Sequence, residues 1–282
     1  MIFEAMHLFS YTSWGRVAMQ QDPADALAIA DLLGRVQPDC FVELGTNTGG
    51  GAIFYAEVMQ GYHPKPLVVT IDVHDPARNW DRFAAKACPH CVPAACHPTW
   101  RKPGLISFVQ GFSTDPGVIA EVESLLRKRQ CQRTMVMHDA DHRRDFVRRD
   151  LHAYHRFVSV GSYLIVQDTK LSRMRGSRYS TLEAVRDFLA SPAGRDHFMV
   201  DKTFEYMLFS HHHGGFLQRS SSALRAASST ITPGTTRASA RPATARTTTC
   251  CRSRALTPSS TARTSRSRTT TTSRQHGASS GT

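Results

Sequence analysis

The chain alternates between short, nearly all-apolar runs and longer stretches in which apolar residues recur every three or four positions. Five runs have strand length: 40–44 (CFVEL), 66–72 (PLVVTID), 105–110 (LISFVQ), 134–138 (TMVMH) and 161–167 (GSYLIVQ). Asp22-Pro23 opens a helical stretch that carries Ala26, Ile29, Leu32 and Leu33 on one face, and Pro38 closes it. Further helices are predicted over 52–60, 116–129 (behind a Ser113-Thr114-Asp115 cap), 142–157 and 180–190, and a closing strand pair over 197–201 and 204–210. Strands this apolar, alternating with helices, predict an α/β fold whose mostly parallel sheet is covered by helices on both faces. With the closing pair the sheet has seven strands. Such sheets bind ligands beyond the carboxyl ends of their strands, near the point where strand order reverses. The polar residues of interest cluster there: 43–51, Asp72, 111–113, 139–142 and Asp168.

Composition changes the picture at one end. The net charge of +12 suggests a nucleic-acid partner. Eleven of the 35 Lys and Arg, all of them Arg, lie beyond residue 218, where Asp and Glu are absent. That leaves 24 against 23 Asp and Glu in residues 1–218, so the body has no basic excess and no nucleic-acid partner is expected. Residues 219–282 are rich in Ser, Thr, Ala and Arg and lack Phe, Trp and Tyr. The expectation is one domain over 1–218 followed by a disordered tail, because such a segment cannot bury enough apolar surface to offset its ordering entropy. A shifted reading frame through GC-rich DNA yields the same composition, and a basic arm for an anionic partner is the other reading. No run approaches the 18 apolar residues of a membrane span, and the N-terminus does not read as a signal peptide. Seven Cys suit reduced thiols and a cytoplasmic location better than a disulfide framework.

Two stretches carry candidate chemistry. VELGTNTGGG (42–51) places an acid and a glycine turn after an apolar strand. Gly45 and Gly49 let the backbone turn sharply and approach a ligand; a strand-to-helix turn alone would also need them. Asp72, ending the next strand, can accept both hydroxyls of a ribose or cap a turn. Ser113 can meet an adenine edge or cap a helix, and Asn47 can bond a cofactor or hold the turn. MHDADHRRD (137–145) places two aspartates and a histidine after another strand. Asp139 and Asp168 end neighbouring strands about 5 Å apart and can share a hard cation such as Mg²⁺. His142 can accept a hydroxyl proton near neutral pH; otherwise it caps the following helix or pairs with Asp145.

With these residues the chain resembles class I S-adenosylmethionine-dependent methyltransferases. It is most similar to the rhamnosyl O-methyltransferase / cephalosporin hydroxylase family. The resemblance rests on Trp14-Gly15, Gln20-Gln21, Pro23-x-Asp25, Ser113-Thr114-Asp115-Pro116, Asp139-x-Asp141-His142, Gly161-Ser162-Tyr163, Asp168-Thr169 and a closing Gly214-Gly215-Phe216-Leu217. It implies a Rossmann-like methyltransferase fold and methyl transfer from S-adenosylmethionine to a hydroxyl of a sugar, glycolipid or other small secondary metabolite. The cofactor residues it implies are Glu43, Gly45, Asn47, Gly49, Asp72, Ser113 and Asp141. The Mg²⁺ ligands it implies are Asp139, Gln167 and Asp168, and the catalytic residues it implies are His142 and Asp139. Gln167 stands where the family usually has an acid, and its neutral carbonyl would bind the ion more weakly; Phe146 stands where the family often has His. The alternatives are hydroxylation or methoxylation, as the family's second name suggests, and a non-catalytic cofactor-binding copy. Homo-oligomer formation stays open.

Three further features compete for attention. Cys88, Cys91 and Cys96 lie in an insertion over 75–103 and offer a zinc half-site; a loop of reduced thiols is the plainer reading. His211-His212-His213 reads as a solvated turn. Trp14, Trp80 and Trp100 suit either a sugar-stacking surface or burial.

Overall fold

The computed structural model describes residues 12–81, 88–174, 179–205 and 210–221. A small hairpin, β1 (Ser13–Trp14) and β2 (Val17–Ala18), precedes the main body. The seven-stranded sheet comprises β3 (Cys40–Leu44), β4 (Leu67–Asp72), β5 (Ile106–Gln110), β6 (Thr134–His138), β7 (Tyr163–Val166), β8 (Phe198–Val200) and β9 (Phe216–Arg219). Its spatial order is β5-β4-β3-β6-β7-β9-β8. The first five strands are parallel, and β9 runs antiparallel between β7 and β8. The chain builds outward from β3 through β4 to β5, then returns to β6 on β3's other side. The order therefore reverses at β3 and β6, which opens a crevice at their carboxyl ends.

Alternation along each strand divides the core. Phe41, Val68, Met135, Met137 and Ile165 face α1 (Pro23–Val36) and α2 (Gly50–Gln60). Cys40, Val42, Leu44, Val69, Ile71, Val136 and Leu164 face α3 (Pro116–Arg129), α4 (Arg144–Tyr154) and α5 (Thr181–Ala190). Every residue of β3, β6 and β7 is buried, as helices on both faces require. Asp22 caps α1 through a bond from the Ala24 amide, with Pro23 in the first turn, as the sequence predicts.

Several expectations are corrected. The closing strand is Phe216–Arg219 rather than 204–210; Phe204 and Glu205 lie in a turn, and 206–209 are outside the described residues. β9 runs one residue past the expected border at 218, and the tail from 222 onward lies outside the described residues. The cysteines are not all reduced thiols. Cys40 begins β3 and Cys131 lies just ahead of the adjacent β6, with Cα atoms 5.8 Å apart, and the two form a disulfide. Cys88 and Cys91 form a second, and Cys96 is free and exposed. A disulfide offers no thiolate ligands, so the zinc half-site of Cys88, Cys91 and Cys96 is not formed. Among the described residues, no helix is long and apolar enough to cross a membrane.

Candidate functional site

A cavity of about 760 Å³ opens at the carboxyl ends of β3 through β7. Nearly every residue singled out from the sequence lines it: Glu43, Gly45, Asn47, Asp72, Ser113, Asp139, Asp141, His142, Gln167 and Asp168. Gly49 does not. A Cβ there would lie 2.8 Å from that of Ala94 and 2.9 Å from the Trp100 ring, so this glycine admits a neighbouring segment rather than a ligand.

The wall made by β3, β4 and β5 is held by backbone packing and hydrogen bonds. Gly45 has φ +102°, and a Cβ there would sit 2.1 Å from the Asp139 carbonyl oxygen. Only glycine allows the two loops to touch. The Gly45 amide donates to Ile71 O at 2.8 Å, and the Asp139 amide donates to Leu44 O at 2.7 Å. Asp72 accepts from the amides of Asn47 and His74, both at 2.9 Å, and keeps further lone pairs for a ligand. Asn47 is left-handed at φ 49°, and its side-chain amide bonds Gln20. Glu43 is buried; Thr70 donates to it at 2.5 Å, and the Thr46 and Thr70 hydroxyls are 2.7 Å apart. Burial holds the Glu43 carboxyl well above the usual range against the Thr70 bond, with the charges of Asp139 and Asp72 adding to the rise. Ser113 does not cap α3. Asp115 stands at the cap position, and the Ser113 hydroxyl donates to Asp150 instead.

The wall made by β6 and β7 is held by charge. Asp139, His142 and Asp168 place one ligand atom each within 4.8 Å of one another. His142 Nε2 lies 3.2 Å from Asp168 Oδ2, so its partner is Asp168 rather than Asp145 or the helix start. β7 stops at Val166, and Asp168, two residues on, takes a left-handed φ of 57° and lines the cavity. Gln167 is buried, and its amide nitrogen contacts Met137 Sδ at 2.8 Å. Asp141 lines the cavity but is paired by Arg143 through contacts of 2.8 to 3.0 Å. Burial, and then the Asp168 charge, push the Asp139 carboxyl well up. Burial would raise Asp168 as well, but its bond and charge contact with His142 bring it below the usual range. For His142, burial would lower the pKa; the Asp168 bond and charge, with Asp139 and Asp141, outweigh it and leave the imidazole above its ordinary value.

Sequence reasoning missed part of this wall. His211 and His212 are buried, at 6% and 1% exposure, and line the cavity; they are not a solvated turn. His211 lies 3.5 Å from Asp22 and 3.9 Å from Asp168, and His212 lies 3.8 Å from Asp25. The His211 amide also donates to Asp25 at 2.8 Å, across 186 residues of chain. The one available signal was Asp22 and Asp25 at the start of α1, two acids one turn apart. No tryptophan lines the cavity: Trp14 packs edge-on against Phe54 and donates to Glu57. Trp80 and Trp100 pack against buried clusters. Phe146 does line the cavity, with the Arg143 and Arg149 guanidinium groups 4.2 and 4.6 Å from its ring centre.

The sequence pattern of the family described as Rhamnosyl O-methyltransferase/CmcI matches residues 7–220. Among curated proteins, the rhamnosyl O-methyltransferase of Mycobacterium tuberculosis (strain ATCC 25618 / H37Rv) is 22% identical over 165 residues, 58% of this chain and 60% of its own length. That of Mycobacterium leprae (strain TN) is 23% identical over 183 residues, 63% of this chain and 71% of its own length. The chain thus spans about 60% of the length of the curated relatives it matches first. A solved CmcI structure described with Mg and SAM superposes with a TM-score of 0.51 at 19% identity, covering 74% of this chain and 77% of the other. A CmcI structure with SAH gives 0.50 at 18% identity, covering 74% and 83%. The expected Rossmann-like methyltransferase fold is thereby confirmed.

Proposed function

The chain belongs to the rhamnosyl O-methyltransferase/CmcI family, and from that premise we propose that it moves a methyl group from S-adenosylmethionine to a hydroxyl oxygen of a sugar or similar small secondary metabolite. The observation that carries this reading is a single cavity lined by Gly45, Asn47, Asp72 and Ser113 and also by Asp139, His142 and Asp168. The first group suits a nucleoside; the second suits proton removal from a hydroxyl. The sugar acceptor is suggested by the relatives named rhamnosyl O-methyltransferases.

Asp72 would accept the ribose hydroxyls, while Gly45 and Asn47 would leave room for the amino-acid end of the donor beside Glu43. Asp141 lines the same cavity. The donor set fits a hard cation. Asp139 and Asp168 are close enough for mutual repulsion to raise Asp139, and a divalent ion between them would offset that repulsion. Asp139 and Asp168 would hold Mg²⁺, with the neutral carbonyl of Gln167 as a weaker third ligand. Bound there, the ion would polarise the acceptor hydroxyl and lower its pKa. With a cation held by its carboxylate neighbours, less negative charge would hold the His142 pKa up, and the imidazole would serve as a base near neutral pH. Its Nε2–H donates to Asp168, so the lone pair that would take the hydroxyl proton is that of Nδ1, which has no hydrogen-bond partner among the described residues. S-adenosylmethionine, when bound, would supply an electrophilic methyl group for the deprotonated oxygen, its sulfonium becoming a neutral thioether as the S–CH₃ bond breaks.

The test uses labelled S-adenosylmethionine with rhamnose-bearing glycosides, with Mg²⁺ or with a chelator. Labelled methyl ether on the sugar, reduced by chelation, is the expected result. Donor binding without transfer to any hydroxyl would point to a non-catalytic binder, and no donor binding by folded protein would refute the reading.

A further inference from the structure

Ser113 is already a candidate donor-binding residue; we propose that Asp150, oriented by His138, makes its hydroxyl a pure acceptor towards the donor's base and so selects a 6-aminopurine over a 6-keto one. This inference rests on the cofactor reading above and adds a specificity device to it.

A serine hydroxyl has one proton to donate and lone pairs to accept with. In the turn after β5, the Ser113 hydroxyl lies 2.5 Å from Asp150 Oδ1. A carboxylate only accepts, so the serine must be the donor there. The second Asp150 oxygen, Oδ2, lies 3.1 Å from His138 Nε2. His138 is fully buried and Asp150 is 3% exposed, so no bulk water competes for either contact. His138 Nδ1 has no hydrogen-bond partner, which favours the tautomer with its proton on Nε2, aimed at Asp150. The loop is pinned again one turn further along α4, where the Tyr154 hydroxyl donates to the Ser113 carbonyl at 2.7 Å.

With its proton committed to Asp150, Ser113 Oγ offers the cavity only lone pairs. It can therefore accept a hydrogen bond from a ligand but not give one. On the base of an adenine nucleoside the donor is the exocyclic 6-amino group, whereas the unsubstituted ring nitrogens are acceptors. A purine with a 6-keto group would set oxygen against oxygen. The His138–Asp150–Ser113 chain thus selects a 6-aminopurine without a charged group touching the base.

The test is calorimetric binding of S-adenosylhomocysteine and S-inosylhomocysteine, which differ at the 6-position, to the full chain. Wild type should prefer the adenosyl form about tenfold or more. Ser113→Ala removes only the hydroxyl and should cut that preference roughly fivefold. Asp150→Asn goes further. His138 Nε2–H would hold the new carbonyl, the amide NH₂ would donate to Ser113, and the serine proton would be released into the cavity. This variant should bind the inosyl form better than Ser113→Ala does. Equal binding of both forms by wild type, or an unchanged preference in Ser113→Ala, would overturn the inference. If Asp150→Asn does not fold, by melting, Ser113→Ala decides alone. Adenosyl binding with an unchanged ratio in Ser113→Ala sinks this inference only; no binding of either form sinks the cofactor reading with it.

Discussion

The two walls of the cavity are built on different principles. The wall at β3–β5 is assembled by close backbone contact and hydrogen bonds, mostly from one turn and the strand beside it: Glu43, Gly45 and Asn47 with Thr70 and Asp72. The wall at β6–β7 is a knot of charge gathered from Asp22 and Asp25, Asp139 and His142, Asp168, and His211 and His212. The first wall is part of the fold's framework. The second stores electrostatic repulsion in partly buried groups, which suits a place where protons and cations come and go. Substitutions at the first wall should therefore cost stability or donor affinity. Those at the second should cost rate, and some should gain stability.

The largest effect that would separate the walls is on rate. Replacing His142 with Ala should lower kcat by about 10² to 10⁴-fold while leaving S-adenosylhomocysteine affinity unchanged. An equal loss of both would merge the two walls into one. The pH profile sharpens this. His142 sits above its ordinary pKa without a cation, so activity should rise with pH through a limb that moves to lower pH as Mg²⁺ is added. Next comes Gly45→Ala. A side chain at φ +102°, 2.1 Å from the Asp139 carbonyl, should destabilise the chain by about 3 kcal/mol or more, read by chemical denaturation.

Smaller is the effect of Asp72→Ala, which should weaken donor binding about 10- to 100-fold with little change in kcat at saturation. Smaller again, and opposite in sign, is Asp139→Asn. A carboxyl whose folded pKa is raised favours the folded state at low pH and loses that contribution as pH rises through the folded value. Removing the charge should therefore raise the melting temperature of the metal-free protein at neutral pH and abolish any further rise on adding Mg²⁺. A lower melting temperature would contradict the claim of stored repulsion. Deleting residues 222–282 should leave the melting temperature nearly unchanged, given that composition.

The first wall was largely legible in the sequence. Strand-length apolar runs marked β3 to β7, and the residues just after each run are those that face the cavity. A local signal placed a local site. Gly49 was the exception within it: a glycine that admits Trp100 looks the same in sequence as one that admits a ligand. The second wall was legible only where it followed a strand end, at Asp139, His142 and Asp168. His211 and His212 reach it because Gly215 carries the chain into β9 beside β7, and the sequence suggested a different closing strand. Asp150 was hidden for another reason: on a helix rich in arginine it reads as one more solvated acid, and only tertiary contact with His138 and Ser113 gives it a role.

The most direct test of a donor wall distinct from a reacting wall is a calorimetric titration of S-adenosylhomocysteine into wild type, Asp72→Ala and His142→Ala. Saturable one-to-one binding is expected for wild type and His142→Ala alike, weakened about 10- to 100-fold by Asp72→Ala. No binding by folded wild type, or equal binding by Asp72→Ala, would contradict the account.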